Sequence, residues 1–386
     1  MKNILILIFV LFYIQVKSEN KNIKVGAENL HKYNTIISGK KIGLLVNHTS
    51  TIKNIHLIDT LFSLNMNIQK IFSPEHGFKG KIERGKSIDD YVYKYEEKSI
   101  PIISMYGKKR IPNNEDLSGI EVMIFDIQDV GARFYTYISA MHNMMEKCAE
   151  LGIKFLVLDR PNPNGDYVDG PVLDTLYQSY IGMHPIPIVH GCTVGELALM
   201  IKGEGWIEHH DRLDMKVIKV KNWNHNDEYI LPIKPSPNLP NQKSIRLYPS
   251  LCLFEQTVVS IGRGTEFPFQ VIGHPHYKSD FNFTPISVSE ESKPKLENIL
   301  CYGIDLRNKK YDKKLNLEYL INFYNKLKDH DTDFFDKYFY RLAGNNILEN
   351  QIKKGLSEDQ IRLTWENEIN DYKKIRKKYL LYDDFE

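Results

Sequence analysis

The run from Val122 to Leu158 decides the fold. It reads Val122-Met123-Ile124-Phe125, then a helical pattern from Phe134 to Leu151, then Phe155-Leu156-Val157-Leu158. Short, uninterrupted apolar runs on either side of a helix are strands buried on both faces, as in a parallel sheet. The same rhythm extends towards the N-terminus. Ile42-Gly43-Leu44-Leu45-Val46 is a strand, and Ile55 to Leu64 has helical spacing at Ile58, Leu61 and Phe62. Ile68 to Phe72 and Pro101 to Met105 are further strands. Up to about residue 210 the chain therefore predicts an α/β fold, a doubly wound, Rossmann-like domain covered on both faces. No G-x-G-x-x-G follows any strand, which removes support for a dinucleotide.

Beyond that point the pattern changes. Residues 212–310 carry β-rich runs such as Met215 to Val220, separated by Pro-rich loops such as Lys234 to Pro240. From Leu315 the chain is charged and helical, and Leu356 to Tyr379 reads as one amphipathic helix with Ile361, Trp365, Ile369 and Tyr372 on one side. The expected organisation is a domain over 19–211 and a smaller α+β domain over 212–386.

Residues 1–18 read as a secretory signal peptide: Lys2, an apolar run from Ile4 to Ile14, then Val16-Lys17-Ser18 before the cut. The expected location is periplasmic or extracellular, with no stable membrane insertion after cleavage. Losing Lys2 and Lys17 takes Lys plus Arg from 51 to 49 against 49 acidic residues, a net charge near zero. Nucleic-acid binding needs a basic face, so it is not expected. Cys148, Cys192, Cys252 and Cys301 are far apart with no C-x-x-C spacing, which argues against zinc and leaves any pairing open.

Several strands end in polar loops, and in open parallel sheets ligands gather at the carboxyl ends of strands. Val46 is followed by Asn47-His48-Thr49-Ser50, and Phe72 by Ser73-Pro74-Glu75-His76-Gly77-Phe78. Phe125 is followed by Asp126-Ile127-Gln128-Asp129-Val130-Gly131-Ala132-Arg133-Phe134-Tyr135-Thr136-Tyr137, and Leu158 by Asp159-Arg160-Pro161-Asn162-Pro163-Asn164-Gly165. Four such loops predict a polar pocket. Glu75 can give or take a proton there, and His76 can tune it.

The other residues have two readings each. Asp126 either caps the next helix or faces the pocket, and Asp129 can pair with Arg133 at i, i+4. Arg133 and Arg160 either fork onto an anionic ligand or serve a neighbouring Asp. Tyr135 and Tyr137 stack on a sugar or fill the core. Asn162 and Asn164, in a loop stiffened by Pro161 and Pro163, suit hydroxyl and acetamido recognition or a plain turn. Thr193 and Glu196 form a capping box, with His190 just before it. Arg263, between Gly262 and Gly264, reaches a ligand or a carbonyl. No G-x-S-x-G or metal-binding His cluster is present, so no metal or cofactor is expected. The chemical resource is carboxylates, Glu75, Asp126, Asp129, Asp159 and Glu255, and two carboxylates flanking a bond is the arrangement of glycoside hydrolysis.

Taken together, residues 74–78, 125–137 and 158–165 closely resemble the exo-β-N-acetylmuramidases of the NamZ (YbbC-like) type. Gly170-Pro171-Val172-Leu173, Pro185-Ile186-Pro187, Pro235-Ser236-Pro237-Asn238-Leu239-Pro240, Gly262-Arg263-Gly264-Thr265 and Arg376 with Tyr379-Leu380-Leu381-Tyr382 add to the likeness. It covers nearly all of the chain after residue 18. It implies a Rossmann-like N-terminal domain, a smaller C-terminal domain and an active site in the cleft between them. It also implies a glycosidase that removes N-acetylmuramic acid from the non-reducing end of peptidoglycan fragments. By position Glu75 is then the catalytic carboxylate. Its partner is open: Asp126 or Glu255 as base or nucleophile, or the substrate's own acetamido group, with His76 beside it. Asn47, Gln128, Asp129, Arg133, Tyr135, Arg160, Asn162, Asn164, His190, Ser236, Asn238 and Arg263 are the substrate-binding candidates. The lactyl carboxylate of the sugar calls for an Arg such as Arg133, Arg160 or Arg263. Two departures from the family pattern are Cys192, where Met is usual, and Gln256, where Gly is usual. A periplasmic muropeptide- or sugar-binding protein without chemistry is the alternative reading.

Overall fold

The computed structural model describes residues 21–82, 91–287, 293–330 and 333–386. The expected signal peptide lies outside them. Seven strands form the main sheet: β1 (Lys41–Val46), β2 (Asn67–Ser73), β3 (Tyr91–Tyr95), β4 (Lys98–Ser104), β5 (Val122–Asp126), β6 (Lys154–Leu158) and β7 (Met215–Ile218). Their order across the sheet is β7-β6-β5-β1-β2-β4-β3. All neighbours run parallel except β3, which pairs antiparallel with β4 at one edge.

Strand residues alternate between two hydrophobic cores. Leu45, Phe72, Met123, Phe125, Phe155 and Val157 enter one, with the helices Tyr137–Leu151 and Val194–Gly203. Leu44, Val46, Ile71, Ile124, Leu156 and Leu158 enter the other, with Tyr33, Ile37 and the helix Leu57–Ser63. Both faces are thus covered, which is why the strands are apolar without alternation.

The register aligns the strand ends. Val46 pairs with Asp126, Leu45 with Phe72, Ser73 with Ser104 and Phe125 with Val157. The loops after β1, β2, β4, β5 and β6 therefore leave the sheet side by side.

Three expectations change. Met215–Ile218, read with the second part, joins the first sheet through β6, where Ile218 is buried. The helix read over Leu356 to Tyr379 is two, Glu358–Leu363 and Glu366–Lys377, interrupted at Thr364 and Trp365. Ser357 caps the first with Gln360 reciprocating, and Trp365, nearly buried, is committed to the core at the break. The helix read from Phe134 starts at Tyr137.

The rest of the second part has a three-stranded antiparallel sheet (Val271–His274, Cys301–Asp305, Asn282–Phe283) and short helices. One of them, Gln242–Leu251, is capped by Asn241 and Ser244 and runs into the 3-10 turn Cys252–Gln256. The four cysteines are free and buried. Among the described residues no helix is long and apolar enough to cross a membrane.

Candidate active site

A cleft opens over the carboxyl ends of β2, β4 and β5, with about 610 Å³ of unfilled space including its mouth. Glu75, His76, Tyr106, Phe134, Tyr135 and Thr136 line it from the first part of the chain, and Ser236, Asn238, Tyr248, Glu255, Arg263 and Phe269 from the second.

Glu75 stands two residues past the end of β2. The chain turns sharply there, with His76 and Gly77 both left-handed (φ 69° and 71°). A non-glycine residue at such a φ is uncommon and needs outside support. His76 receives it through Nδ1, 2.6 Å from the carbonyl of Ile82. Gly80 is also left-handed (φ 62°), and a Cβ there would fall 2.0 Å from His48 Nδ1. His48 in turn reaches the carbonyl of Lys234 through Nε2 at 2.8 Å. The loop after β1 thus ties the Glu75 loop to the Pro-rich segment that carries Ser236 and Asn238.

The Glu75 carboxylate is buried, and its Oε2 accepts a 2.6 Å hydrogen bond from the Thr136 hydroxyl. Thr136 is the N-cap of the helix Tyr137–Leu151, yet it makes no side-chain cap bond. An N-cap hydroxyl ordinarily accepts from the first helical turn. Here it is turned to Glu75, so the helix fixes the carboxylate at its own N-terminal end.

Glu255 projects from the 3-10 turn Cys252–Gln256. Arg263 donates to it from Nε at 2.8 Å, and the guanidinium lies over the Phe269 ring at 5.1 Å. Tyr135 and Tyr137 are edge-to-face with centroids 4.7 Å apart. Tyr135 faces the cleft, while the Tyr137 hydroxyl donates to the carbonyl of Pro235 at 3.0 Å. Ser236 and Asn238 are on the wall as expected from the Pro-Ser-Pro-Asn motif.

The other candidates are not on the wall, for a common reason: they are buried, and neighbouring backbone groups or side chains claim their polar atoms. Asp126 and Arg160 form a bidentate pair, Nε to Oδ1 at 2.6 Å and Nη2 to Oδ2 at 2.9 Å, both buried. Arg133 does not pair with Asp129. It donates to the carbonyls of Pro171 and Ile186 from Nη1 and of Leu342 and Ala343 from Nη2, all between 2.7 and 3.0 Å. The last two end the helix Phe339–Ala343, where carbonyl dipoles favour a cation. Burial pushes the Arg133 guanidinium down to about 9.

Gln128 bonds the carbonyls of Asp129 and Pro161, and Asn47 accepts from the amide and hydroxyl of Thr49. Asn162 donates to the carbonyl of Cys192, and Asn164 to those of Val130 and Ile245. His190 accepts from the amide of Cys192 at Nδ1, with its other nitrogen 3.9 Å from Asp129. Asp159 takes bonds from Thr193, Gly195 and Tyr382. Thr193 and Glu196 form the expected capping box. Gln256, one of the departures, is also off the wall.

Burial pushes the Asp129 carboxyl up to about 7, against the bond it accepts from the amide of Gly131. The folded state therefore holds a proton there that the unfolded chain releases near pH 4. That stabilises the fold fully at low pH, and the advantage is lost as pH rises from about 4 to about 7. Asp129→Asn keeps an acceptor for Gly131 and abolishes the titration. Its stability relative to the parent should rise with pH by up to about 1.4 kcal/mol per unit in that window, then level off. Urea unfolding at pH 5, 6, 7 and 8 reads it, and a pH-independent difference would contradict the assignment.

Tyr106, Phe134, Thr136, Tyr248 and Phe269 also line the wall without having been singled out from sequence. Tyr106 follows the end of β4 by two residues, as Glu75 follows β2, so the strand-end argument reaches it. Tyr248 comes from a helix of the second part, and nothing local in the sequence points it here.

The wall of this polar, aromatic-lined cleft carries two carboxylates, the resource that glycoside hydrolysis uses. Models of the exo-beta-N-acetylmuramidase NamZ family match the chain over residues 42–243 for the N-terminal part and 246–382 for the C-terminal part. The chain belongs to that family, whose members are glycosidases. It is 35% identical over 396 aligned positions to the peptidoglycan beta-N-acetylmuramidase NamZ of Bacillus subtilis (strain 168), covering 95% of this chain and 92% of that one. Two crystal structures of DUF1343 family proteins from Bacteroides fragilis NCTC 9343 share the fold. One has TM-score 0.85 at 45% identity, covering 94% of this chain and 99% of that chain. The other has TM-score 0.83 at 27% identity, covering 95% and 100%.

Proposed function

We propose that this chain releases β-1,4-linked N-acetylmuramic acid from the non-reducing ends of peptidoglycan fragments. Glu75 is the general acid that protonates the leaving oxygen, and Glu255 is the second carboxylate. The observation that carries this is the buried Glu75 carboxylate, held by Thr136 on the wall of a cleft it shares with Glu255. Asp126, Asp129 and Asp159 are spent elsewhere, which leaves these two of the five carboxylates in the strand-end argument. The cleft is read as the seam between the N-terminal α/β part and the smaller α+β part.

Of the three arginines considered for the lactyl carboxylate, Arg263 is the one on the wall. A planar fork with five donors can serve Glu255 and an incoming carboxylate together. Ser236, Asn238 and Tyr135 suit the hydroxyls, the acetamide and the sugar face. Residues 1–18 are read as directing export, which places the enzyme with its substrate in the periplasm or outside the cell.

Incubation with a β-linked MurNAc–GlcNAc disaccharide, followed by mass spectrometry, tests the activity. Free MurNAc and GlcNAc are expected. Tight binding of a disaccharide that stays intact would mark a sugar-binding protein and overturn the reading.

A further inference from the structure

Beside the cleft an exposed arginine is laid over two tyrosines. The guanidinium of Arg110 is 4.5 Å from the ring centroid of Tyr180 and 5.8 Å from that of Tyr106. The two rings are 6.1 Å apart and tilted by 55°. Tyr106 and Ile181, the neighbour of Tyr180, both line the cleft. Burial, and then the charge of Glu75, hold the Tyr180 phenol above its ordinary range, so this group is within electrostatic reach of the proposed acid.

The arrangement is supported from behind. The Ser139 hydroxyl donates to the carbonyl of Tyr180 at 2.6 Å, and Asn143 donates to the carbonyl of Arg110 at 3.0 Å. Both supports come from the helix Tyr137–Leu151, whose N-cap holds Glu75. The Arg110 backbone is thus pinned to the element that positions the proposed acid, while the residue as a whole is exposed. Cation–π contact restrains the guanidinium without consuming its hydrogen-bond donors, which lie in the plane of the fork.

We propose that Arg110, with Tyr106 and Tyr180, is a subsite at the mouth of the cleft. It takes a carboxylate on the leaving-group side of the bond being cut. This rests on the exo-muramidase reading. With the terminal MurNAc held at Glu75, the next sugar lies towards the mouth, past Tyr106. The carboxylate beyond it is either the lactyl group of the following MurNAc or the end of a peptide attached to that group. Both are anions that a guanidinium fork matches in geometry.

The test uses the full chain and three substrates: a nitrophenyl β-muramide, the tetrasaccharide (MurNAc–GlcNAc)₂ and the same tetrasaccharide carrying stem peptides. The readout is the ratio of kcat/KM on each tetrasaccharide to kcat/KM on the nitrophenyl muramide. Arg110→Ala should lower that ratio about tenfold, the loss of one charged contact, and Arg110→Lys should recover part of it. A fall on the peptide-free tetrasaccharide identifies the lactyl carboxylate. A fall confined to the peptide-bearing one identifies the peptide. A ratio unchanged on both overturns the subsite. Failure of the parent enzyme on all three substrates would instead overturn the exo-muramidase reading beneath it.

Discussion

Glu75→Gln is expected to lower kcat on the MurNAc–GlcNAc disaccharide by about three orders of magnitude or more, close to 4 kcal/mol of transition-state stabilisation. The substitution keeps the shape of the side chain. The amide oxygen can still accept from Thr136, so the loop and the helix cap should be undisturbed. What is lost is the proton delivered to the leaving oxygen. The dependence on the leaving group makes the test sharper. A sugar alkoxide is a poor leaving group and needs that proton, whereas nitrophenolate departs readily without it. The loss should therefore be larger on the disaccharide than on a nitrophenyl muramide. Equal losses on both would assign Glu75 to another role, and near-normal turnover on both would remove it from the chemistry.

Asp126→Ala carries the second large effect, and it falls on stability. The carboxylate and the Arg160 guanidinium are both buried and bonded twice to one another. Removing one partner leaves a buried charge without compensation, which costs about 3–5 kcal/mol. The pair also joins the end of β5 to the loop after β6, so the loops on either side of it should loosen. The expected result is a clear fall in the urea midpoint, with kcat on the nitrophenyl muramide largely retained under conditions where the variant is folded. Replacing both partners, Asp126→Ala with Arg160→Met, should recover part of the lost stability, because no charge is then stranded. A variant of normal stability that has lost kcat would place Asp126 in catalysis.

Much of this was legible in the chain. The apolar runs at Ile42–Val46, Ile68–Phe72 and Phe155–Leu158 are strands because both sheet faces are buried, and burial leaves its mark on composition. The Thr193–Glu196 capping box formed as read, since its two bonds span three residues. Glu75 was found by the rule that a parallel sheet gathers its loops at one edge, and the same rule extends to Tyr106. The rule could not distinguish residues that face the cleft from residues that hold the loops up. Arg133 and Arg263 look alike in sequence. One is drawn to four carbonyls, two of them more than 200 residues away, and the other to a glutamate on the cleft wall. An i, i+4 pairing of Asp129 with Arg133 was a sound local expectation, and it lost to those distant carbonyls because a buried cation settles where most acceptors converge.

The sequence by itself determined the strand–helix alternation, the loop that carries Glu75 and the family to which the chain belongs. Those are written in short-range pattern and in long ordered motifs. Only the tertiary structure decided that Glu75 shares its cleft with Glu255, that Thr136 gives up its cap to hold the Glu75 carboxylate, and that Asp126, Arg133, Arg160 and the paired asparagines support the loops. The physical reason is that a polar side chain near a buried backbone serves whichever unsatisfied group lies closest in space, and closeness in space is set by packing between segments that the sequence keeps far apart.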